Sequence, residues 1–294
     1  MLQFVTPVVN KLKLKKICGD THYIPGITNV MVYDDIMVDP SNNENVDWDN
    51  IKLNFNMALV THGHTDHFWN GAKLRKTGTK IYAPRDERGF MENPSVNTSG
   101  IFNWARPPES MLPWFFKGVP CPVDGTLEDI DDLPLETFPL PGHTQWQTGF
   151  LTPDGVLMVS DAIVTKKIWD TKRMVFYTTP YDAKNTLKAI MDSDAEWVLA
   201  SHADLMTGDE AAELAEINIR GIDSIEAAVI DALEGGEYST EEMVSRVGVA
   251  LNVRCDFSMH LIVVTTVRAF LHALYETGKA EYVLRDHRIM WRLR

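Results

Sequence analysis

The amino-acid sequence predicts an α/β protein with a small helical subdomain at its C-terminal end. Short apolar runs rich in β-branched residues alternate with helical patterns over the first two thirds of the chain, which is typical of a layered α/β architecture. Helical patterns dominate the last third instead. A chain of 294 residues is long enough for one large domain with a small appendage. We therefore predict an α/β domain over residues 1–210 and the helical subdomain over residues 211–294.

The first predicted elements lead into a histidine-rich segment. Residues 27–40 contain two apolar runs on either side of an Asp-Asp pair, which predicts a hairpin. Residues 57–62 are a short apolar run that predicts a buried strand. Residues 69–78 have a helical pattern with basic residues near a final glycine, as at many helix C-termini. Residues 79–84 predict another strand, which ends at a proline.

Four further elements complete the predicted α/β domain. Residues 135–144 predict a strand that ends in Gly-His. Residues 150–164 predict a hairpin around a Pro-Asp-Gly turn. Residues 182–194 predict a helix, and residues 196–202 predict a strand that ends at a histidine.

Residues 93–134 mix proline, glycine and aromatic residues without a helical or strand period. One interpretation is a surface excursion that buries its own rings. The other is a lid or a substrate wall, because long irregular loops are often functional. The sequence favours neither.

The C-terminal third predicts three helices followed by a hairpin. Residues 213–236 form a helical pattern that stops at a glycine pair, and Ser239 to Glu242 form a capping box that opens a short helix. Residues 258–278 predict a longer helix with apolar positions at helical spacing. This order matches a winged-helix pattern.

Composition and charge limit the classes of partner. The formal net charge of -13 at pH 7 is expected to repel polyanions at long range. Residues 246–294 differ from the rest, with 8 Lys and Arg against 4 Asp and Glu. No apolar run reaches about 18 residues, no secretory signal pattern is present, and the three cysteines have no paired spacing. We therefore predict a cytoplasmic protein with no membrane span and a small-molecule substrate rather than a nucleic acid.

Histidine and aspartate residues collect at the ends of predicted strands, where open α/β structures gather their site residues. Imidazole nitrogens and carboxylate oxygens suit zinc and similar divalent ions. Five histidines and two aspartates are enough for two ions if one carboxylate bridges them, with room left for water, as in catalytic sites. The candidate metal ligands are His62, His64, Asp66, His67, His143, Asp161 and His202.

Four motifs resemble the successive motifs of the metallo-β-lactamase superfamily. They are THGHTDH at 61–67, PGHT at 141–144, SDA at 160–162 and SH at 201–202. The resemblance covers about residues 20–210. It implies a four-layer αβ/βα sandwich with the metal ions at one edge, between two sheets.

The resemblance also implies how the ligands divide between two zinc ions, with iron or manganese as other candidate metals. One ion would be held by His62, His64 and His143. The other would be held by Asp66, His67 and His202, and Asp161 would bridge both ions.

Departures from related families narrow the expected activity. Exported β-lactamases usually lack the bridging aspartate that Asp161 supplies here, and flavodiiron oxygen reductases usually carry Glu at the position of His64. Nucleases with a large inserted domain carry it between Asp161 and His202, which are only 41 positions apart here. The family's Asp-x-Gly motif has Ser41 in place of its glycine, although Asp39 is still expected to brace the metal loop.

The expected function is a dinuclear zinc hydrolase of a small ester, thioester or lactone. Asp66 is expected to orient the nucleophile and to pass a proton to the leaving group. Tyr177 and Tyr181 either reach the substrate from a loop or pack as ordinary aromatic residues. The alternatives are a nuclease acting on RNA, a mononuclear-iron sulfur dioxygenase, and a DNA-binding regulator whose metal domain senses a ligand.

The C-terminal region resembles the winged-helix tail of some β-lactamase-like hydrolases, in which the tail packs on the catalytic domain and shapes the substrate entrance. We interpret it as a packing or homodimerisation module rather than a DNA reader. On its long helix, Arg268 stands alone instead of belonging to a dense basic row.

Overall fold

Two β-sheets pack face to face, and alternate side chains along their strands explain this arrangement. The structure is a computed structural model that describes residues 13–49, 51, 55–112 and 117–294. Successive side chains of a strand point to opposite faces. Met31 packs between the two sheets, whereas its neighbours Val30 and Val32 pack on the outer face of the first sheet. Each sheet therefore buries both of its faces.

The first sheet has seven strands in sequence order. The first four strands pair antiparallel with their neighbours, and the fourth to the seventh strands pair parallel. The strands are β1 Lys15–Cys18, β2 Thr21–Ile24, β3 Val30–Tyr33, β4 Ile36–Val38, β5 Met57–Leu59, β6 Lys80–Ala83 and β7 Gly125–Thr126.

The second sheet has five strands in the order β12-β11-β10-β9-β8. Only β10 and β11 are parallel, and the other neighbours are antiparallel. The strands are β8 Glu136–Pro139, β9 Thr148–Leu151, β10 Val156–Ser160, β11 Trp197–Ala200 and β12 Met206–Thr207.

Helices cover the outer face of each sheet, which completes four layers. A cluster around Phe68, Leu74 and Ile81 packs the early helices on the first sheet. A larger cluster, which includes Leu157 and Leu187, packs the later helices on the second sheet. This is the αβ/βα sandwich that the sequence predicted. The helices are α1 Thr65–Phe68, α2 Gly71–Arg75, α3 Arg88–Glu92, α4 Ser95–Ile101, α5 Lys166–Lys172, α6 Pro180–Met191, α7 Gly208–Leu233, α8 Thr240–Ala250 and α9 Phe257–Glu276.

The helix predicted over residues 69–78 is present but shorter, since α2 spans Gly71–Arg75. A further short helix that the sequence did not predict, α1, precedes it and begins inside the histidine segment. The backbone N–H of Asn70 donates to Pro40 O at 2.9 Å, and its side chain donates to Ser41 O at 2.7 Å. These tertiary bonds separate α1 from α2, and a sequence pattern cannot reveal them. The N–H groups of Asp66 and His67 therefore belong to a helix rather than to a loop.

Residues 93–134 contain more regular structure than their composition suggested. Helix α4 and the strand β7 lie in this region, and a 3₁₀ turn covers Glu109–Met111. Residues 113–116 of this region lie outside the described part of the chain.

The C-terminal region consists of α7, α8, α9 and a three-stranded sheet in the order β13-β15-β14. Its strands are β13 Tyr238–Ser239, β14 Ala280–Arg285 and β15 Arg288–Leu293. The predicted boundary at residue 210 falls in the first turn of α7, and one apolar cluster continues from the second sheet into this region. The division into two domains and the winged-helix assignment stay predictions.

Helix α9 is long and apolar enough to cross a membrane by length and composition alone. More than half of its most apolar window is buried inside the protein. Val267, Phe270 and Leu274 are fully buried in the cluster that joins α9 to α7 and α8. That burial is typical of a core helix.

Ser239→Ala is expected to lower the free energy of unfolding by about 1 kcal/mol. The Ser239 hydroxyl accepts from the N–H of Glu242, while the Glu242 carboxylate accepts from the N–H of Ser239, so α8 begins with a complete capping box. Urea unfolding measures the change. Ser224→Ala, at an exposed position inside α7, is the control and should change the free energy by less than about 0.5 kcal/mol. Equal effects of the two variants would contradict the capping role.

Candidate metal centre

All seven predicted ligand residues lie together at one edge of the sandwich, where strands of both sheets end. His62 and His64 lie between β5 and α1, and Asp66 and His67 lie on α1. His143 follows β8, Asp161 directly follows β10, and His202 follows β11. Their role as metal ligands stays a prediction, but their convergence is a feature of the structure.

Three histidines and one aspartate form the first group of candidate ligands. One ligand atom from each of His62, His64, His143 and Asp161 lies within 4.8 Å of the others. His143 Nε2 lies 2.9 Å from His64 Nδ1 and 3.3 Å from Asp161 Oδ2. Nitrogen and oxygen donors at these separations can surround a single ion.

The second group consists of Asp66, His67 and His202, whose ligand atoms also lie within 4.8 Å of one another. Asp66 Oδ2 is 3.5 Å from the Nε2 atoms of both histidines. Asp161 reaches this group as well, with Oδ2 3.5 Å from His67 Nε2 and Oδ1 3.6 Å from His202 Nε2. Asp161 therefore lies within reach of both groups, as a bridging carboxylate must.

Unpartnered buried atoms indicate that cations fit this centre. Among the described residues, His62 Nε2, His67 Nε2 and Asp161 Oδ1 are buried and have no hydrogen-bond partner. Burying such atoms without a partner costs free energy. Divalent ions would satisfy these atoms, whose contacts with the neighbouring ligand side chains are long, at 3.5–3.6 Å for His67 Nε2 and Asp161 Oδ1.

The three histidines of the first group are neutral at physiological pH. Burial lowers the pKa of His64 to about 3 and lowers the pKa of His62 well below its usual value. Burial also lowers the pKa of His143. A neutral imidazole is the form that binds a metal ion, so these side chains need no deprotonation.

The two histidines of the second group have raised pKa values instead. Burial opposes their charged forms, but the neighbouring carboxylates outweigh it. Asp161 and Asp66 raise the pKa of His202 to about 9, and Asp66, Asp161 and Asp39 raise the pKa of His67 well above its usual value. The two protons balance carboxylate charge that a metal ion would otherwise balance.

Asp39 braces the histidine segment, as the sequence predicted. Its Oδ1 accepts from the N–H of Thr61 at 2.8 Å, and its Oδ2 lies 2.8 Å from His67 Nδ1. A carboxylate behind a ligand histidine fixes the ring and leaves Nε2 for the metal ion. The Ser41 hydroxyl donates to Thr28 O at 3.0 Å, so the residue that replaces the family's glycine does not prevent the Asp39 contacts.

Glu87 is a positioning residue that the sequence analysis missed. Its side chain is fully buried in the loop after β6. It accepts from the N–H of Gly63 at 2.8 Å and from the Thr144 hydroxyl at 2.5 Å. Glu87 therefore connects the segment that carries His62 and His64 to the segment that carries His143. No motif surrounds Glu87, so only the folded chain reveals this link.

Thr266 on α9 is the second residue that was missed. Its hydroxyl donates to Val175 O at 2.8 Å and accepts from the N–H of Tyr177 at 3.1 Å. The residue between them, Phe176, holds His143, because His143 Nδ1 lies 3.1 Å from Phe176 O. The C-terminal helix thus fixes the loop that orients a candidate ligand.

Tyr177 and Tyr181, for which the sequence left substrate contact and packing as alternatives, both make packing or hydrogen-bond contacts inside the protein. Tyr177 is fully buried, and burial raises its pKa. The Tyr181 hydroxyl donates to Glu226 at 2.8 Å, away from the centre. The aromatic ring beside the candidate ligands is Phe176, whose centroid lies 5.3 Å from that of His64. Of the two interpretations of these tyrosines, the structure favours packing.

Comparison with known proteins agrees with this geometry. The model of the family described as the metallo-beta-lactamase superfamily matches residues 57–202, a segment that begins with β5 and ends at the last candidate ligand. No curated protein matches the chain.

Two solved structures share the fold over almost the whole chain. A metallo-beta-lactamase family protein from Thermus thermophilus is 18% identical, with a TM-score of 0.66 over 97% of this chain and 98% of that one. A beta-lactamase domain protein from Burkholderia ambifaria is 16% identical, with a TM-score of 0.70 over 99% of this chain and 96% of that one. Since these alignments include the C-terminal region, that region is part of the shared fold.

Zinc binding at pH 7 is expected to release about two protons, because metal ligands must be deprotonated. Both His67 and His202 have raised pKa values, so both carry a proton at pH 7 in the metal-free protein. Zinc affinity should therefore rise as the pH increases toward 9. Calorimetry in buffers with different ionisation enthalpies counts the protons. His202→Ala should release about one proton fewer, and an absence of proton release at pH 7 would contradict the expectation.

Thr266→Val is expected to weaken zinc binding about 10–100-fold, the usual effect of losing an outer hydrogen bond around a metal site. Valine keeps the shape of threonine but breaks both bonds to the loop that holds His143. Chelator competition measures the affinity.

Thr265→Val is the matched control, because the Thr265 hydroxyl bonds to Leu261 O within its own helix. Thr266→Ser should restore most of the zinc affinity. If folded Thr266→Val binds zinc as tightly as the wild type, Thr266 does not position the centre.

Proposed function

With residues 57–202 belonging to the metallo-beta-lactamase superfamily, we propose that the protein is a hydrolase that uses two zinc ions to cleave a small ester, thioester or lactone. The superfamily fold and the His/Asp cluster support a metal-dependent hydrolase in general. The observation that carries the two-ion proposal is Asp161, which lies within reach of both ligand groups.

The chemistry of the donor set supports zinc. His62, His64 and His143 would hold one ion, Asp66, His67 and His202 would hold the other, and Asp161 would contact both. Imidazole nitrogens with carboxylate oxygens suit zinc, and three or four protein ligands per ion leave a position for water. When bound, such ions supply a water of lowered pKa and a Lewis acid for the oxygen atom of the substrate.

Asp66 is the proposed catalytic residue. Its side chain keeps 23% of its surface exposed, while His67 beside it is fully buried. Burial opposes the ionised form, but His67 and His202 hold the pKa of Asp66 well below its usual value. The ionised carboxylate can accept a hydrogen bond from the attacking water and can pass that proton toward the leaving group.

The basic C-terminal residues are the feature that keeps the nuclease alternative open, and several of them are paired with carboxylates. Arg285 lies 2.9 Å from Glu237, and Arg292 lies 2.6 Å from Glu281. Both contacts lie in or beside the three-stranded sheet, so the charges of these two arginines are balanced locally. A small-molecule substrate therefore remains the proposal. The cytoplasmic location and a homodimer stay predictions.

His64→Ala and Asp161→Ala are each expected to abolish hydrolysis, a loss of at least about a thousandfold, because each removes a ligand of the proposed ions. Metal analysis of the wild type should give about two zinc ions per chain, and each variant should retain less. The assay is a panel of esters, thioesters, lactones and phosphodiesters with the zinc-reconstituted protein.

His272→Ala, at an exposed position on α9, is the matched control and should keep full activity and zinc. Full activity in either ligand variant would refute the site assignment. One iron per chain with no hydrolysis would favour the dioxygenase instead, and cleavage of phosphodiesters alone would favour the nuclease.

A further inference from the structure

We infer that the substrate is an uncharged acyl compound whose apolar chain of about six carbons lies in a cavity between the metal centre, α4 and α9. This inference rests on the proposed function, because it specifies the substrate class of the same site. It depends on the side chains that line the cavity, on their charge and on the cavity's size.

The cavity opens directly on the candidate metal ligands. One side is formed by four of them, His64, Asp66, His143 and Asp161. The rest of the lining is mainly apolar and includes Ile101, Leu261 and Ile262, together with Phe176, whose ring lies beside His64. A carbonyl carbon at the metal side would therefore place its acyl chain against these four apolar side chains.

The cavity has no cationic side chain in the part of the chain that the structure describes. Asn97, Ser258 and Thr65 are its polar residues besides the candidate ligands, and all three are neutral. The side chain of Asn97 is held by its amide, which donates to Gly63 O at 2.9 Å. A charged group buried without a partner is costly, so the end of the substrate that faces away from the metal centre must be neutral.

The volume of the cavity limits the length of the chain. It measures about 210 Å³, which is below the roughly 300–1,000 Å³ of pockets for drug-sized ligands. An apolar protein cavity of about 150 Å³ holds a benzene molecule. By proportion, the cavity holds about eight non-hydrogen atoms. A hexanoyl group with its leaving atom has that size, whereas a nucleotide or a tripeptide thioester would extend beyond the cavity.

Besides Phe176, the apolar wall comes from two regions, residues 93–134 and the C-terminal helices. Ile101 ends α4, within the irregular residues 93–134, and Leu261 and Ile262 lie on the first turns of α9. Of the two interpretations of residues 93–134, the substrate wall is therefore the one that the inference requires. Specificity should depend on how α4 and α9 meet rather than on the metal ligands.

A series of para-nitrophenyl esters tests the chain length on the zinc-loaded protein. From acetate to hexanoate, kcat/KM should rise up to about fourfold for each added methylene, which is the effect of burying one CH₂ group. From hexanoate to decanoate it should stop rising or fall. The adipate half-ester, which has the same six carbons and a terminal carboxylate, should react at least tenfold more slowly than hexanoate.

Ile262→Trp fills the cavity and should shift the preference from hexanoate to acetate. Ile262→Ala enlarges it and should shift the optimum to a longer chain, so the test does not depend on one variant folding. The same substitutions at Ile289, which is exposed on β15, are the matched controls and should leave the chain-length profile unchanged.

Binding of hexanamide, an uncleaved neutral analogue, separates this inference from the proposed function. Calorimetry should detect hexanamide on the zinc-loaded wild type, weaker binding to Ile262→Trp, and no binding of adipamate, its carboxylated counterpart. If hexanamide binds in this way but no ester, thioester or lactone is cleaved, the cavity assignment stands and the proposed function fails. If esters are cleaved without regard to chain length, terminal charge or residue 262, the proposed function stands and this inference is overturned.

Discussion

The burial of carboxylates and imidazoles at one edge of the sandwich is the constraint on which the rest of the structure depends. Isolated charges in such a place would be very costly. Here, Asp66 and Asp161 lie beside protonated His67 and His202, and three neutral histidines complete the cluster. The protons partly balance the carboxylates, yet several buried atoms still lack partners. Divalent ions would balance the remaining carboxylate charge and would give these atoms partners.

A set of buried polar contacts behind the centre keeps its geometry fixed. Asp39 and Glu87 each accept two or more hydrogen bonds from the segments that carry candidate ligands. Ser160, in the left-handed region with φ of 51°, precedes Asp161 directly, and its hydroxyl lies 2.8 Å from that of Thr61 and 3.1 Å from that of Ser201. Such backbone strain persists only where surrounding contacts determine it. These contacts connect both sheets, so sheet packing and ligand geometry depend on each other.

The C-terminal region belongs to the site as much as to the core. Its helix α9 is anchored by apolar burial against α7 and α8, and from that position Thr266 holds the loop of Phe176, while Leu261 and Ile262 face the cavity. A change in the packing of α9 would therefore alter both the support of His143 and the shape of the cavity.

Much of the fold and of the candidate site could be predicted from the sequence, because both rest on local patterns. Alternating strand and helix patterns predicted the layered architecture, and His or Asp residues at strand ends predicted where the ligand side chains meet. Asp39 was predicted through its place in a family motif. Differences arose where a distant contact overrides the local pattern, as at Asn70, whose bonds to Pro40 and Ser41 delay the start of the predicted helix to Gly71.

The sequence by itself determined which seven side chains form the candidate centre and which class of chemistry their donor atoms suit, because residue types and their spacing carry that information. Only the tertiary structure decided what supports the centre and what faces it. Glu87, Thr266 and Phe176 belong to no motif, and they reach the ligand segments through contacts between residues far apart in the chain. The apolar wall of the cavity likewise comes from two distant helices, α4 and α9, which only the folded chain brings together.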